Sequence, residues 1–265
     1  MTERGKSLPT IALEELAGCA GELLVILENL DQLLPFARVL RFRFGQSRND
    51  TGPVDISFVE GSVSQPHDLE TLKLIRQRSK MVIAVGNCAV WGCVQGSCAQ
   101  KYPVPEMLRK VYGDDTHIDS LPSAGIDNYI KVDAKLSGCP INATQLLAVA
   151  ASALRGHLPY VIQKPVCLEC KYKENVCVLV EQGLPCLGPV TAAGCGALCP
   201  SLGAACYGCW GVCEAPQIDA MTSTLTDKGY KYEEVRSRLT TFGGSEKLFG
   251  RDETSAAGAS CITAE

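Results

Sequence analysis

Met81-Val82-Ile83-Ala84-Val85-Gly86-Asn87-Cys88-Ala89-Val90-Trp91-Gly92-Cys93-Val94-Gln95-Gly96 begins as an apolar run and passes directly into a glycine-rich turn with two cysteines. Such a run fits a strand covered on both faces, as in a parallel sheet flanked by helices. Upstream, residues 9–14 form a short apolar segment, and residues 13–34 carry helical spacing through Leu16, Leu23, Leu24, Ile26, Leu27, Leu30, Leu33 and Leu34. Residues 39–44 and 54–59 alternate as strands do, and residues 68–77 suit a helix. Downstream, residues 128–132 lead toward Leu136-Ser137-Gly138-Cys139-Pro140, followed by an alanine-rich helix over residues 143–154. Strands alternating with helices give an open, mainly parallel α/β sheet, whose ligands sit beyond the carboxyl ends of the strands. Cys19, Cys88, Cys93 and Cys139 obey that rule, so three loops at one sheet edge can converge on one site.

After Pro159 the composition changes. Pro165-Val166-Cys167-Leu168-Glu169-Cys170 opens a stretch that continues through Cys177, Cys186, Cys195, Cys199, Cys206 and Cys209 to Cys213. Nine cysteines in fewer than fifty residues, interleaved with glycine and proline and poor in apolar periodicity, do not make a packed core of their own. From Ala215 onward a polar helix over residues 228–238 and a Gly/Ser/Ala tail are expected, the tail without order of its own. The expected domains are therefore residues 1–160, 161–225 and 226–265.

Net charge of −4 argues against a nucleic-acid partner, which needs a basic surface. Apolar runs fall short of the roughly 18 to 20 residues that cross a bilayer. Residues 1–6 show neither a secretory apolar region nor a cleavage site, so the expected location is cytoplasmic. In that reducing setting the 15 cysteines favour metal ligation over disulfides. Zinc sites usually show two tight CxxC pairs per ion, and the irregular Gly- and Pro-rich spacing here favours iron–sulfur clusters. Eight thiols suffice for two four-iron clusters, and Cys213 is the surplus one because it lies beyond the Cys206–Cys209 pair. Spacing alone leaves open how the other eight divide. Cys98 and Cys261 fit small buried hydrophobes, and His67, His117 and His157 are ordinary histidines. No dinucleotide fingerprint, P-loop or nucleophile elbow is present.

Gly86-Asn87-Cys88-Ala89, Ser137-Gly138-Cys139-Pro140, the Pro165–Cys170 motif and Pro185-Cys186-Leu187-Gly188-Pro189-Val190-Thr191-Ala192-Ala193-Gly194-Cys195 together resemble the small subunits of cytoplasmic nickel-iron hydrogenases. Within that family the resemblance is to the delta subunits of NAD(P)-linked, sulfhydrogenase-type enzymes, and Val54-Asp55-Ile56-Ser57-Phe58-Val59-Glu60-Gly61-Ser62-Val63 is similar as well. It runs from about residue 13 to residue 211. It implies a flavodoxin-like domain holding a proximal cluster, followed by a small ferredoxin-like domain holding two further 4Fe-4S clusters, three in all. It also implies an oxidoreductase subunit with no catalytic side chains of its own, a nickel-iron large subunit as partner, and flavin- and iron–sulfur-bearing subunits as electron acceptors. A complex I relative shares the Cys88 and Cys139 loops but lacks the second cysteine-rich domain.

The proximal site departs from the family pattern. Where the family has CxGC, this chain has Leu16-Ala17-Gly18-Cys19, and it carries an additional cysteine at position 93, which leaves room for a modified proximal cluster, as in membrane-bound, oxygen-tolerant relatives. Because thiolate suits iron–sulfur chemistry better than carboxylate, Cys93 is expected to replace the absent ligand, giving a proximal set of Cys19, Cys88, Cys93 and Cys139; the alternative is a three-cysteine site completed by water, Glu22 or Glu60. The remaining ligands are Cys167, Cys170, Cys177, Cys186, Cys195, Cys199, Cys206 and Cys209. The altered first loop keeps a second reading open: a hydrogenase-derived electron-transfer module of another redox complex, whose large partner lacks nickel-iron.

Overall fold

The computed structural model describes residues 8–114, 117–161 and 163–242, with residues 98–101 described by backbone alone. Residues 1–6, most of the expected tail and Cys261 lie outside the described residues, as does the side chain of Cys98. Five strands, β1 (Thr10–Glu15), β2 (Arg38–Phe42), β3 (Val54–Glu60), β4 (Ser79–Val85) and β5 (Ala134–Leu136), form one parallel sheet in the order β2-β1-β3-β4-β5. This is the flavodoxin-like order, in which the chain winds to one side of β1 and then to the other. Residues 128–132, expected to lead into the third cysteine loop, are followed by the short strand β5.

Helices cover both faces of the sheet. On one face lie α1 (Gly21–Glu28), α2 (Leu30–Leu33) and α7 (Ala143–Leu154), whose Leu23, Ile26, Leu33, Leu146 and Val149 pack on Ile11, Leu13, Ile56, Phe58, Ile83 and Val85. The other face receives α3 (Pro66–Arg78) and α4 (Gly86–Trp91), with Leu72, Ile75 and Val90 against Val59, Val82 and Ala84. Alternate residues of β4 thus enter different cores, which is why its sequence is apolar throughout. Helices α5 (Cys93–Lys101) and α6 (Val104–Tyr112) complete this half. The segment from Gly86 to Gly96 is therefore not a loop. Gly92 (φ 80°) and Cys93 (φ 50°) are both left-handed, and this break turns one helix into two.

The cysteine-rich stretch contains only short helices, α8 (Val166–Tyr172), α9 (Val178–Glu181) and α10 (Leu198–Ser201). Its apolar contacts come largely from farther along the chain. α11 (Ile218–Asp227) and α12 (Tyr232–Thr241) bring Ile218, Met221, Leu225, Val235 and Leu239 onto Val166, Val178, Leu187 and Val190. Where one helix was expected over residues 228–238, residues 228–231 instead join these two. The missed signal is Ile218, Met221 and Leu225, which share one helical face.

Beneath the sheet edge, Arg41 donates through Nε to Glu14 Oε1 at 2.7 Å and through Nη1 to the carbonyls of Asp50 (2.6 Å) and Gly52 (3.2 Å). Both side chains of this ion pair are buried. Removing one partner strands the other charge, so Glu14→Gln or Arg41→Met alone is expected to lower the unfolding free energy by about 3–5 kcal/mol. The double substitution Glu14→Leu/Arg41→Met is expected to recover most of that loss, as read by anaerobic chemical denaturation.

Candidate functional site

The carboxyl ends of β1, β3, β4 and β5 meet at one edge of the sheet; β3 ends on Glu60, and a cysteine of the site follows each of the other three. Cys88 stands in the first turn of α4, directly after β4, and Cys139 follows β5. The left-handed break after Trp91 brings Cys93 back toward them. The buried Cys93 thiol lies within hydrogen-bonding reach of both Cys139 and Cys88. The Cys139 contact favours its thiolate, but the Cys88 contact, burial and the Cys88 charge outweigh it and push Cys93 up to about 12. Cys139 is raised well beyond the ordinary thiol range by its hydrogen bond with Cys93, by burial, and by the charges of Cys93 and Glu60. Cys19 is exposed on the turn before α1, with its sulfur against Gly21. Its neighbour ties that turn to the site: the Ala20 N–H donates to Glu60 Oε1 at 3.2 Å.

Glu22 and Glu60 lie against one another, almost fully buried. Burial and then contact with Glu22 push the Glu60 carboxyl up to about 8. Glu22 is raised as well, first by burial and also by Cys139. Two carboxyls placed so closely cannot both ionise easily, and a proton shared between them relieves the repulsion.

The other thiols fall into two neighbouring sets. Cys167 is pushed up to about 11 by burial and then by Cys186, Cys170 and Cys177. These four cysteines line one cavity of about 40 Å³, into which a Cβ on Gly188 would project at 3.4 Å from Cys167 Sγ and 3.6 Å from Cys186 Sγ. Cys209 is likewise pushed up to about 11, by burial and then by Cys195, Cys199 and Cys139. Cys206, driven up to about 12 mainly by burial, also feels both Cys186 and Cys209, and its N–H donates to Cys186 Sγ at 3.2 Å. The N–H groups of Leu198 and Ala197 point to Cys195, and Asn175 Nδ2 lies 3.7 Å from Cys170 Sγ. Cys213 is buried apart, its thiol 3.7 Å from the Pro189 carbonyl.

These crowded thiols suit a cationic inorganic group better than they suit each other. Every ionisation raises the cost of the next, and a metal core between them reverses that sign and deprotonates its ligands outright. Among the described residues no three His, Cys, Asp or Glu side chains close around a single ion, and the Cys167 set surrounds a space. His67, His117 and His157 are exposed. Asn87, overlooked in the sequence, is fully buried among the cysteine loops, and its only signal was a polar residue between a strand-ending glycine and Cys88.

Residues 17–153 match the family model described as NADH ubiquinone oxidoreductase, 20 Kd subunit. The delta subunit of sulfhydrogenase 2 from Pyrococcus furiosus is 36% identical over 89% of this chain and 98% of its own length. The chain belongs to the family of hydrogenase small subunits. This small subunit is also 33% identical to a subunit of the vhu F420-non-reducing hydrogenase of Methanocaldococcus jannaschii, over 76% of the chain and 81% of the relative. The delta subunit of the NAD-reducing hydrogenase HoxS of Cupriavidus necator is 37% identical over 55% of the chain and 78% of its own length. In fold, the small subunit is similar to the crystal structure of an NAD+-reducing [NiFe]-hydrogenase, with a TM-score of 0.52 over 58% of the chain and 96% of that structure at 24% identity. Among the described residues of the small subunit, no helix is long and apolar enough to cross a membrane.

The paired carboxyls give the metal-free small subunit a distinct pH dependence. Between the ordinary carboxylate value of 4.5 and about 8, the native chain keeps a proton at Glu60 that the unfolded chain has lost. Native protein then binds more protons than unfolded, so stability falls as pH rises through that window. Glu60→Gln is expected to flatten the fall, seen as a thermal midpoint that changes less between about pH 5 and about pH 8.

Proposed function

We propose that this chain is the electron-transferring small subunit of a cytoplasmic [NiFe]-hydrogenase, acting on H2 as part of a complex. In this reading it relays electrons between the nickel-iron centre of a separate large subunit and flavin- and iron–sulfur-bearing acceptor subunits. The relatives' names support the assignment: a sulfhydrogenase, an NAD-reducing hydrogenase and, in Archaeoglobus profundus, the iron-sulfur subunit of an F420-non-reducing hydrogenase. The observation that carries it is the succession of interacting thiols from Cys88, Cys93 and Cys139 to Cys209, then through Cys206 to Cys186 and Cys167.

Three 4Fe-4S clusters are the proposed cofactors, and when bound they supply one-electron carriers. Cys88, Cys93 and Cys139, completed by Cys19, hold the proximal one. Cys195, Cys199, Cys206 and Cys209 hold the next, and Cys167, Cys170, Cys177 and Cys186 the outermost, where Cys177 is exposed. The chain's own contribution is to bind, orient and shield. Backbone N–H groups favour the thiolate form of Cys195, the Cys206 N–H donates to Cys186 Sγ at 3.2 Å, and α11 and α12 pack an apolar cover on Val166, Leu187 and Val190. Glu22 and Glu60 are engaged with each other and with the Ala20 N–H, which favours Cys93 over either carboxylate as the fourth ligand. The proposed domain division places the proximal cluster in residues 1–160 and the other two in residues 161–225, with residues 226–265 as a C-terminal segment whose α12 packs on the second.

Leu16, standing where the family has a cysteine, favours one second reading: a module serving a partner that lacks nickel-iron. Nickel analysis of the purified complex, with hydrogen-dependent dye reduction, separates the two. Nickel with dye reduction is expected, and a nickel-free, hydrogen-inert complex supports the module instead.

In Cys93→Ser, iron and sulfide quantification with EPR of the anaerobic complex is expected to show the proximal signal lost or altered and the other two retained. An unchanged proximal signal removes Cys93 from the ligand set.

A further inference from the structure

Asn87 has no exposed surface, and its side-chain amide is engaged on both sides. Oδ1 accepts the Gly138 N–H at 2.9 Å, and Nδ2 donates to the carbonyls of Cys209 at 2.8 Å and Phe242 at 3.0 Å. The Asn87 N–H also donates to the Gly138 carbonyl at 2.8 Å. An N–H on one side and two carbonyls on the other fix the orientation of the amide. Each partner matters by its place. Asn87 precedes Cys88 and Gly138 precedes Cys139, while Cys209 belongs to the next thiol set and Phe242 follows α12.

We propose that Asn87 is a positioning residue that sets the gap between the proximal thiols and Cys209, clasping Gly138 on one side and Cys209 and Phe242 on the other. The inference rests on the electron-relay reading given above. With carriers held at the proximal thiols and at the Cys209 set, the chemistry they would supply is transfer of one electron across the gap between Cys139 and Cys209, with no bond made or broken. Its rate falls steeply with separation, so a clasp that spans the gap acts on the step without touching either carrier. A second contact holds the same seam: a Cβ on Gly211 (φ 71°) would stand 2.4 Å from Trp91 Nε1, so the Cys209 loop lies directly on Trp91.

Asn87→Asp retains an acceptor for the Gly138 N–H and loses both donors to Cys209 and Phe242, whereas Asn87→Ala loses all three contacts. The test uses the anaerobically purified complex and reads iron content, the EPR splitting between the proximal cluster and its neighbour, and peptide-level hydrogen exchange. For Asn87→Asp we expect wild-type iron, collapsed splitting and protection retained around Gly138 but lost around Cys209. Asn87→Ala is expected to lose both protections, and Asn87→Gln, which keeps the donors, to restore part of the splitting. Wild-type iron with unchanged splitting in Asn87→Asp overturns the inference and leaves the relay standing. Iron-free wild-type protein overturns both. Should the variants lose iron, faster exchange confined to the Gly138 and Cys209 segments supports the clasp, and loosening of the whole chain overturns it.

Discussion

Thiolates repel one another, and a chain that gathers many of them must place them where a positive core can offset the repulsion. Burial strengthens the conflict, because it removes the water that would screen each charge. Here burial is the leading cause of the upward shift in Cys167, Cys206 and Cys209, with neighbouring thiols adding to it. Much of the architecture answers that constraint. Glycine lets backbone approach the sulfurs closely, N–H groups are turned toward Cys186 and Cys195, and apolar helices from the end of the chain close over the second half.

The two halves solve different problems with one principle. In the first, the parallel sheet provides rigidity, and its strand ends deliver Cys88, Cys139 and Glu60 to a common edge. Side chains buried on both faces of β4 contribute on the order of 1.5–3 kcal/mol each, enough to support a site made of groups that prefer water. In the second, the described residues form no sheet, and order comes from short helices, turns and the cover of α11 and α12. Its apolar cluster is nevertheless continuous from Val166 to Leu239.

The sheet was legible in the sequence because strands buried on two faces have no polar residues to hide, and Met81 to Val85 could hardly be anything else. The cysteine positions were legible for a related reason: loops after parallel strands share one edge. The helices α4 and α5 were not, since glycines at positions 86, 92 and 96 look like a loop, and only the left-handed geometry at Gly92 and Cys93 shows a break between two helices. Nor could spacing show which thiols neighbour one another, because Cys186 and Cys206 are 20 residues apart yet meet through a backbone N–H. Glu22 and Glu60 could be named as candidates, but their pairing depends on α1 packing beside the end of β3.

The contact between Asn87 and the Phe242 carbonyl spans 155 residues of chain. A polypeptide emerging from the ribosome can build the sheet early, yet this amide has to wait for its last acceptor until α12 has been synthesised and docked. Completion of the seam between the two halves is thereby tied to completion of translation through Phe242, so a truncated product leaves a buried donor unanswered at the heart of the molecule.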